Sequence, residues 1–113
     1  MKYLITESQV SKIIFKYLDN QDFVKDATQR DIFFLNSIND EHGVMVFDKK
    51  KGMLFVSHNL IDEVAGFFSI SSVYSLNLIT DWAQGNIDQR IRLNYIAHPN
   101  QKGLLAKSYH SRT

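Results

Sequence analysis

Apolar residues recur every third or fourth position from Val10 to Leu18, at Val10, Ile13, Ile14, Tyr17 and Leu18, while Lys12 and Lys16 point elsewhere. That period predicts an amphipathic helix with one buried stripe. Thr6-Glu7-Ser8-Gln9 reads as its capping box, the Thr6 hydroxyl and the Gln9 side chain each satisfying an amide at the helix start. From Asn20 to Arg30 only Phe23, Val24 and Ala27 are apolar, which fits a loop or a short, poor helix. Ile32-Phe33-Phe34-Leu35 is a run of strand formers, and Asn36 to Gly43 is a turn region. Val44-Met45-Val46-Phe47 and Met53-Leu54-Phe55-Val56 flank Asp48-Lys49-Lys50-Lys51-Gly52. Two apolar runs joined by a short polar link ending in glycine predict a β-hairpin, with Gly52 in a left-handed bulge position.

A second helix follows, with Asn59 as its cap and Leu60, Ile61, Val64, Ala65 and Phe68 on its buried side. A third runs from Ser71 or Ser72 to Gln84, with Val73, Leu76, Leu78, Ile79, Trp82 and Ala83 inward and Gly85 as its stop. Arg90 to Ala97 alternates, with Ile91, Leu93 and Tyr95 on one face and Arg90, Arg92 and Asn94 on the other, the pattern of a half-exposed strand. These elements predict an α+β fold: a small, mainly antiparallel sheet of three or four strands, including the hairpin, packed by about three helices. Residues 1–98 form the expected single domain. Residues 99–113 read as a polar, flexible C-terminal tail in which Leu104 and Leu105 offer one docking point.

Composition narrows the classes. A chain of 113 residues with 44% hydrophobic and 22% charged residues can bury one core and is not of disordered type. It has no cysteine, so disulfides and thiolate metal sites are excluded. No apolar run approaches the roughly 20 residues that cross a bilayer. Glu7 and Lys12 interrupt any secretory pattern near the start. The expected compartment is therefore the cytoplasm. Thirteen basic and twelve acidic residues leave a formal charge of +1, which lends no global support to a nucleic-acid partner and leaves room for a local patch.

Four groups of residues bear on chemistry. Leu60 to Gln84 is similar to the DNA-binding helix-turn-helix of bacterial repressors, with Val64-Ala65 in the first helix and Ser69-Ile70-Ser71 in the turn. It departs from that pattern at Ser69, where glycine is favoured, and at Ser75, where an apolar residue belongs. Its reading helix would offer Ser72, Ser75, Asn77, Thr80, Asp81 and Gln84, without a cation. Two core helices joined by a tight turn are the simpler reading. The hairpin tip Lys49-Lys50-Lys51, joined by Arg90 and Arg92 if they share a face, would suit phosphates; solvation of an exposed turn also accounts for it. His42, His58, His98 and His110 show no helical i, i+3 or i, i+4 pairing, so no metal site is expected. Asp62 and Glu63 sit at a helix start, where the dipole favours them, and no phosphate loop, nucleophile elbow or zinc-helix motif occurs. Neither an enzyme nor a cofactor is expected.

Apolar excess is the remaining signal. Phe15 lies off its helix's stripe, Phe33 and Phe34 are adjacent, and both hairpin arms are apolar on alternate faces. Unbroken apolar arms need cover on both faces, and an uncovered aromatic patch marks an interface. The leading expectation is accordingly a non-enzymatic protein-interaction module. It would bind a partner or itself, as a homodimer, through a sheet face or edge bearing Phe33, Val46 and Phe55. The second is a helix-turn-helix DNA-binding protein using residues 60–84, with Lys49, Lys50, Lys51, Arg90 and Arg92 on phosphates and Ser72 and Asn77 on bases.

The opening Met1-Lys2-Tyr3-Leu4-Ile5-Thr6-Glu7-Ser8-Gln9 resembles the start of small uncharacterised proteins of tailed bacteriophages. The resemblance implies no activity and transfers no functional residue. It implies the cytoplasm of an infected bacterium, with takeover, counter-defence or virion assembly as settings.

Overall fold

A computed structural model describes residues 7–110. The capping threonine Thr6, and most of the phage-like opening, lie outside those residues. The first helix, α1, runs Glu7–Asp19; β1 is Val24–Ala27, β2 Asp31–Leu35, β3 Met45–Asp48 and β4 Met53–Ser57. Helices α2 (His58–Phe68) and α3 (Ser72–Gln84) follow, then β5 (Leu93–Ala97), a 3-10 helix (Pro99–Leu105) and a single turn, α4 (Lys107–His110).

The α+β class holds, while the sheet is larger and mixed. It has five strands in chain order, antiparallel from β1 to β4, with β5 parallel to β4. The parallel pair arises because α2 and α3 carry the chain back to the end where β4 began, and Arg92 and Leu93 donate there to Gly52 O. The additional strand β1 lies within the polar stretch expected as loop or helix. Its Lys25 and Asp26 break the apolar pattern because it is an edge strand paired on one side only.

Side chains leave the sheet alternately, and both faces are apolar. Ile32, Phe34, Met45, Phe47, Leu54 and Val56 face the three long helices, where Ile14, Leu18, Ile61, Val64, Ile79 and Ala83 complete the larger core. Trp82 joins α3 to α1 by donating from Nε1 to Asp19 Oδ1 (2.8 Å), and its ring meets Phe23 and Phe34. Ser75 is fully buried and donates to Ile61 O (2.8 Å), so a polar residue sits between α2 and α3 with its hydrogen bond made. That hydroxyl takes the inward place expected for Val73, which is exposed. The cap of α2 is Ser57 rather than Asn59: the Ser57 hydroxyl accepts from the Asn59 amide, starting the helix two residues earlier. Ile13, on the expected stripe of α1, is also exposed.

The opposite, outer face carries Phe33, Leu35, Val46, Phe55 and Ala97, and the C-terminal segment closes it. Leu105 packs into this second core, with Leu104 half-buried beside it. The segment expected as a flexible tail is therefore largely helical, and its contacts hold it against the sheet through Ser108. Two leucines supply the apolar anchor, and backbone pairing supplies the rest. Gly43 N donates to Leu105 O (2.9 Å) and Lys107 N to Glu41 O (2.9 Å), on either side of a bridge between His42 and Ala106. Ser108 N donates to Glu41 Oε1 (3.0 Å), which holds the Glu41 carboxyl below its ordinary range. Gly43 itself lies close against β2 and β3: a Cβ there would stand 2.9 Å from Met45 O and 3.0 Å from Phe34 O. Among the described residues no helix is long and apolar enough to cross a membrane.

If Leu105 belongs to the core, Leu105→Ala lowers unfolding stability by about 2–4 kcal/mol in urea denaturation. A loss below about 0.5 kcal/mol, the level of an ordinary surface change, would show that the segment is undocked.

Candidate nucleic-acid interface

The hairpin tip is built by its own first residue. Asp48 Oδ1 accepts from the amides of Lys50 (3.0 Å) and Lys51 (3.1 Å), and Gly52 N donates to Asp48 O (2.8 Å). Gly52 has φ +65°, the left-handed conformation the sequence requires of it. It also has a packing duty, since a Cβ at Gly52 would stand 3.1 Å from Cγ and Cδ of Arg92.

Two further segments are welded to this tip. Lys49 N donates to Arg30 O (2.9 Å) and Lys49 Nζ to Thr28 O (2.6 Å), which joins the β1–β2 turn. Gln89 Nε2 donates to Lys49 O (2.6 Å), and Arg92 N to Gly52 O (2.8 Å), which joins the loop between α3 and β5. That loop is pinned in turn by Gln84, whose amide donates to Gln89 O (3.0 Å) and accepts from Ile91 N (2.8 Å). Lys49, Lys50, Lys51, Arg90 and Arg92 thus share one end of the sheet, together with Arg30. Six cations meet Asp31, Asp48 and Asp88 in these segments, a local charge of +3, so the rest of the chain carries −2. Some of that positive charge offsets Asp31 and Asp48, which lie opposite each other across β2 and β3. Among the described residues none of Lys50, Lys51, Arg90 and Arg92 pairs with a carboxylate.

The other expected site residues lie elsewhere. Ser72 and Asn77 occupy the exposed ridge of α3 with Val73 and Asp81, without a cation. Leu76, Leu78, Ile79, Trp82 and Ala83 of that helix are buried in the core. Ser69 caps α2 in the left-handed region (φ 54°), which turns the chain tightly into α3, and the exposed ridge of α3 has no phosphate anchors. Phe33, Val46 and Phe55 do form one row across β2, β3 and β4, as an apolar sheet face demands. All three are buried under the C-terminal segment, so the cover for that face comes from the chain itself.

Arg30, Thr28 and Gln89 are members of the pole that sequence reasoning missed. Arg30 sits in the polar stretch where β1 went unseen, and only a strand-turn-strand reading of residues 24–35 would have placed it beside Lys49. His42 and His58, far apart in sequence, line an open cleft of about 450 Å³ with Glu63 and Lys102. Among the described residues no buried side-chain nitrogen or oxygen lacks a partner.

A separate surface is aromatic. Tyr17 stacks on Phe67 (5.4 Å between centroids) and meets Phe68 edge-on, and Phe67 is 70% exposed. The Tyr17 hydroxyl donates to Glu63 Oε1. This bond, with some burial and the carboxylate's charge, pushes the Tyr17 pKa from 10 to about 12. A raised folded-state pKa means that neutral Tyr17 is favoured; the contribution is whole below pH 10 and is lost as pH rises through about 12.

Comparison with protein-family models, curated proteins and solved structures finds no match. The geometry alone carries the functional reading.

An NMR titration should show the Tyr17 ring ionising near 12, and Glu63→Gln should bring it down toward 10. Titration at 10 in the unaltered protein would remove the link between α1 and α2.

Proposed function

We propose that the chain is a non-enzymatic, cytoplasmic binding module that contacts the phosphate backbone of a nucleic acid through its basic pole. The observation that carries the reading is the convergence of six cations from three separate segments onto one preorganised end of the sheet. Cations held together on a rigid surface displace the condensed counterions of a polyanion at little ordering cost. Lys49 is committed to Thr28 O, so Lys50, Lys51, Arg90 and Arg92 are the contacts and Arg30 and Lys49 set their platform.

The mode differs from the helix-turn-helix expectation. No exposed ring stands among the pole residues Arg30, Lys49–Lys51 and Arg90–Arg92, so base stacking has no platform, and α3 offers no anchor for reading a groove. Backbone contact without base readout is sequence-independent.

Fluorescence anisotropy with a labelled duplex of mixed sequence tests this between 50 and 200 mM salt. Binding weakens steeply with salt, and replacing Lys50, Lys51, Arg90 and Arg92 by alanine flattens the log–log slope by about 3 to 4, near 0.9 per lost phosphate contact. No binding at 50 mM salt, or a slope the fourfold variant leaves unchanged, would overturn the reading.

A further inference from the structure

The sheet has two edges, and they are treated differently. Strand β1 is short and charged: Lys25 donates to Asn86 O (3.0 Å), and Asp26 pairs with Lys107 (3.8 Å). Charges on an edge strand discourage another strand from pairing there. Strand β5, Leu93-Asn94-Tyr95-Ile96-Ala97, has neither charge nor proline. On its far side no strand is bonded among the described residues, and alternate backbone amides and carbonyls face outward. Leu93 (58%) and Tyr95 (41%) are exposed along it. An uncharged edge with large apolar side chains beside free backbone groups is a template for one more strand.

We propose that the occupant is β5 of a second copy, paired antiparallel about a two-fold axis at Tyr95, which makes one ten-stranded sheet. Three features of the strand favour this partner. In that register Tyr95, 41% exposed, lies opposite Tyr95 at the axis, and the exposed Leu93 of each copy lies beside the end of the other's strand, whose own Ala97 is already covered by Leu105. The exposed apolar pair of one copy, Leu93 and Tyr95, is thus brought to the same seam as that of the other. The charges also agree: Arg90 and Arg92 precede the strand, whereas His98-Pro99-Asn100 follows it, so antiparallel pairing sets each arginine end against the other copy's uncharged end. A parallel partner would bring the arginines together. Finally, Pro99 has no amide to donate, which ends the ladder just past Ala97. Pairing of β5 with β1 of another copy would be head-to-tail and open-ended, and the charges of β1 oppose it; the two-fold arrangement closes. The two basic poles then sit at opposite ends of the seam, about 17 Å of strand apart at roughly 3.3 Å per residue. The proposal stands independently of what the pole binds.

Sedimentation equilibrium of the full chain tests it, combined with hydrogen exchange of the β5 amides at high and low protein concentration. The expected result is a mass twice the 13.1 kDa of one chain, with β5 amides whose protection rises with concentration. Leu93→Lys with Tyr95→Lys, which sets two lysines face to face at the axis, should raise the dimer dissociation constant tenfold or more with an unchanged far-UV spectrum. Should the double variant fail to fold, Leu93→Lys alone, at a solvent-exposed position outside the core, decides by the same criterion. A monomer at several hundred micromolar overturns the proposal, whether its β5 amides are open or protected by the chain's own residues or by a peptide. A dimer that the substitutions leave intact overturns it equally, and moves attention to Phe67 and Tyr17.

Discussion

Every strand in the centre of this sheet carries apolar side chains on both faces, and each face must be covered. The helices cover one. The other is closed by a seven-residue 3-10 helix whose Leu105 fills the space above Phe33, Val46 and Phe55. This contact sets what the rest of the molecule can do. With the outer face closed, the strands are buried on both sides and hold the hairpin tip at a fixed place. The apolar surface that remains open is displaced to the margins of the sheet and to the helices. Without that contact the same residues would form a large oily face, and association would be dictated by it.

The polar interactions are distributed accordingly. One end of the sheet holds the linkage of Thr28, Arg30, Lys49 and Gln89, in which most bonds run to backbone carbonyls. These bonds do not consume the cationic heads of Lys50, Lys51, Arg90 and Arg92, so the same architecture that rigidifies the pole leaves its charge available. Asp48 has a double part: its side chain shapes the tip by accepting two amides, and its charge lowers the cost of crowding lysines there. A chain with a formal charge of +1 thereby becomes strongly polarised, which a global count cannot register.

Local chemistry was readable wherever it was also sufficient. The lysine-glycine hairpin, α3 with its stop at Gly85, and the apolar run from Ile32 to Leu35 all follow from period and turn residues. Strand β1 was hidden because an edge strand with one buried side need not look apolar, and Lys25 and Asp26 guard it. Ser75 was misread because its burial depends on a carbonyl in a different helix, Ile61 O, which no local pattern reveals. Alternation found β5, although the strand begins at Leu93 rather than Arg90, and Leu93 and Tyr95 point to the margin that the 3-10 helix leaves open. The C-terminal segment misled for a related reason: two leucines among polar residues suffice to dock it when a matching groove exists. At the candidate site, the lysines and both arginines were legible as types, whereas their convergence with Arg30 depended on β1 and so was not.

The closure of the outer face is best tested in the intact protein by nuclear Overhauser contacts between the Leu105 methyl groups and the rings of Phe33 and Phe55. The structure predicts strong cross-peaks, with helical shifts through residues 99–105. Random-coil shifts for that segment, with no cross-peak to either ring, would contradict it and return the sheet face to solvent or to a partner.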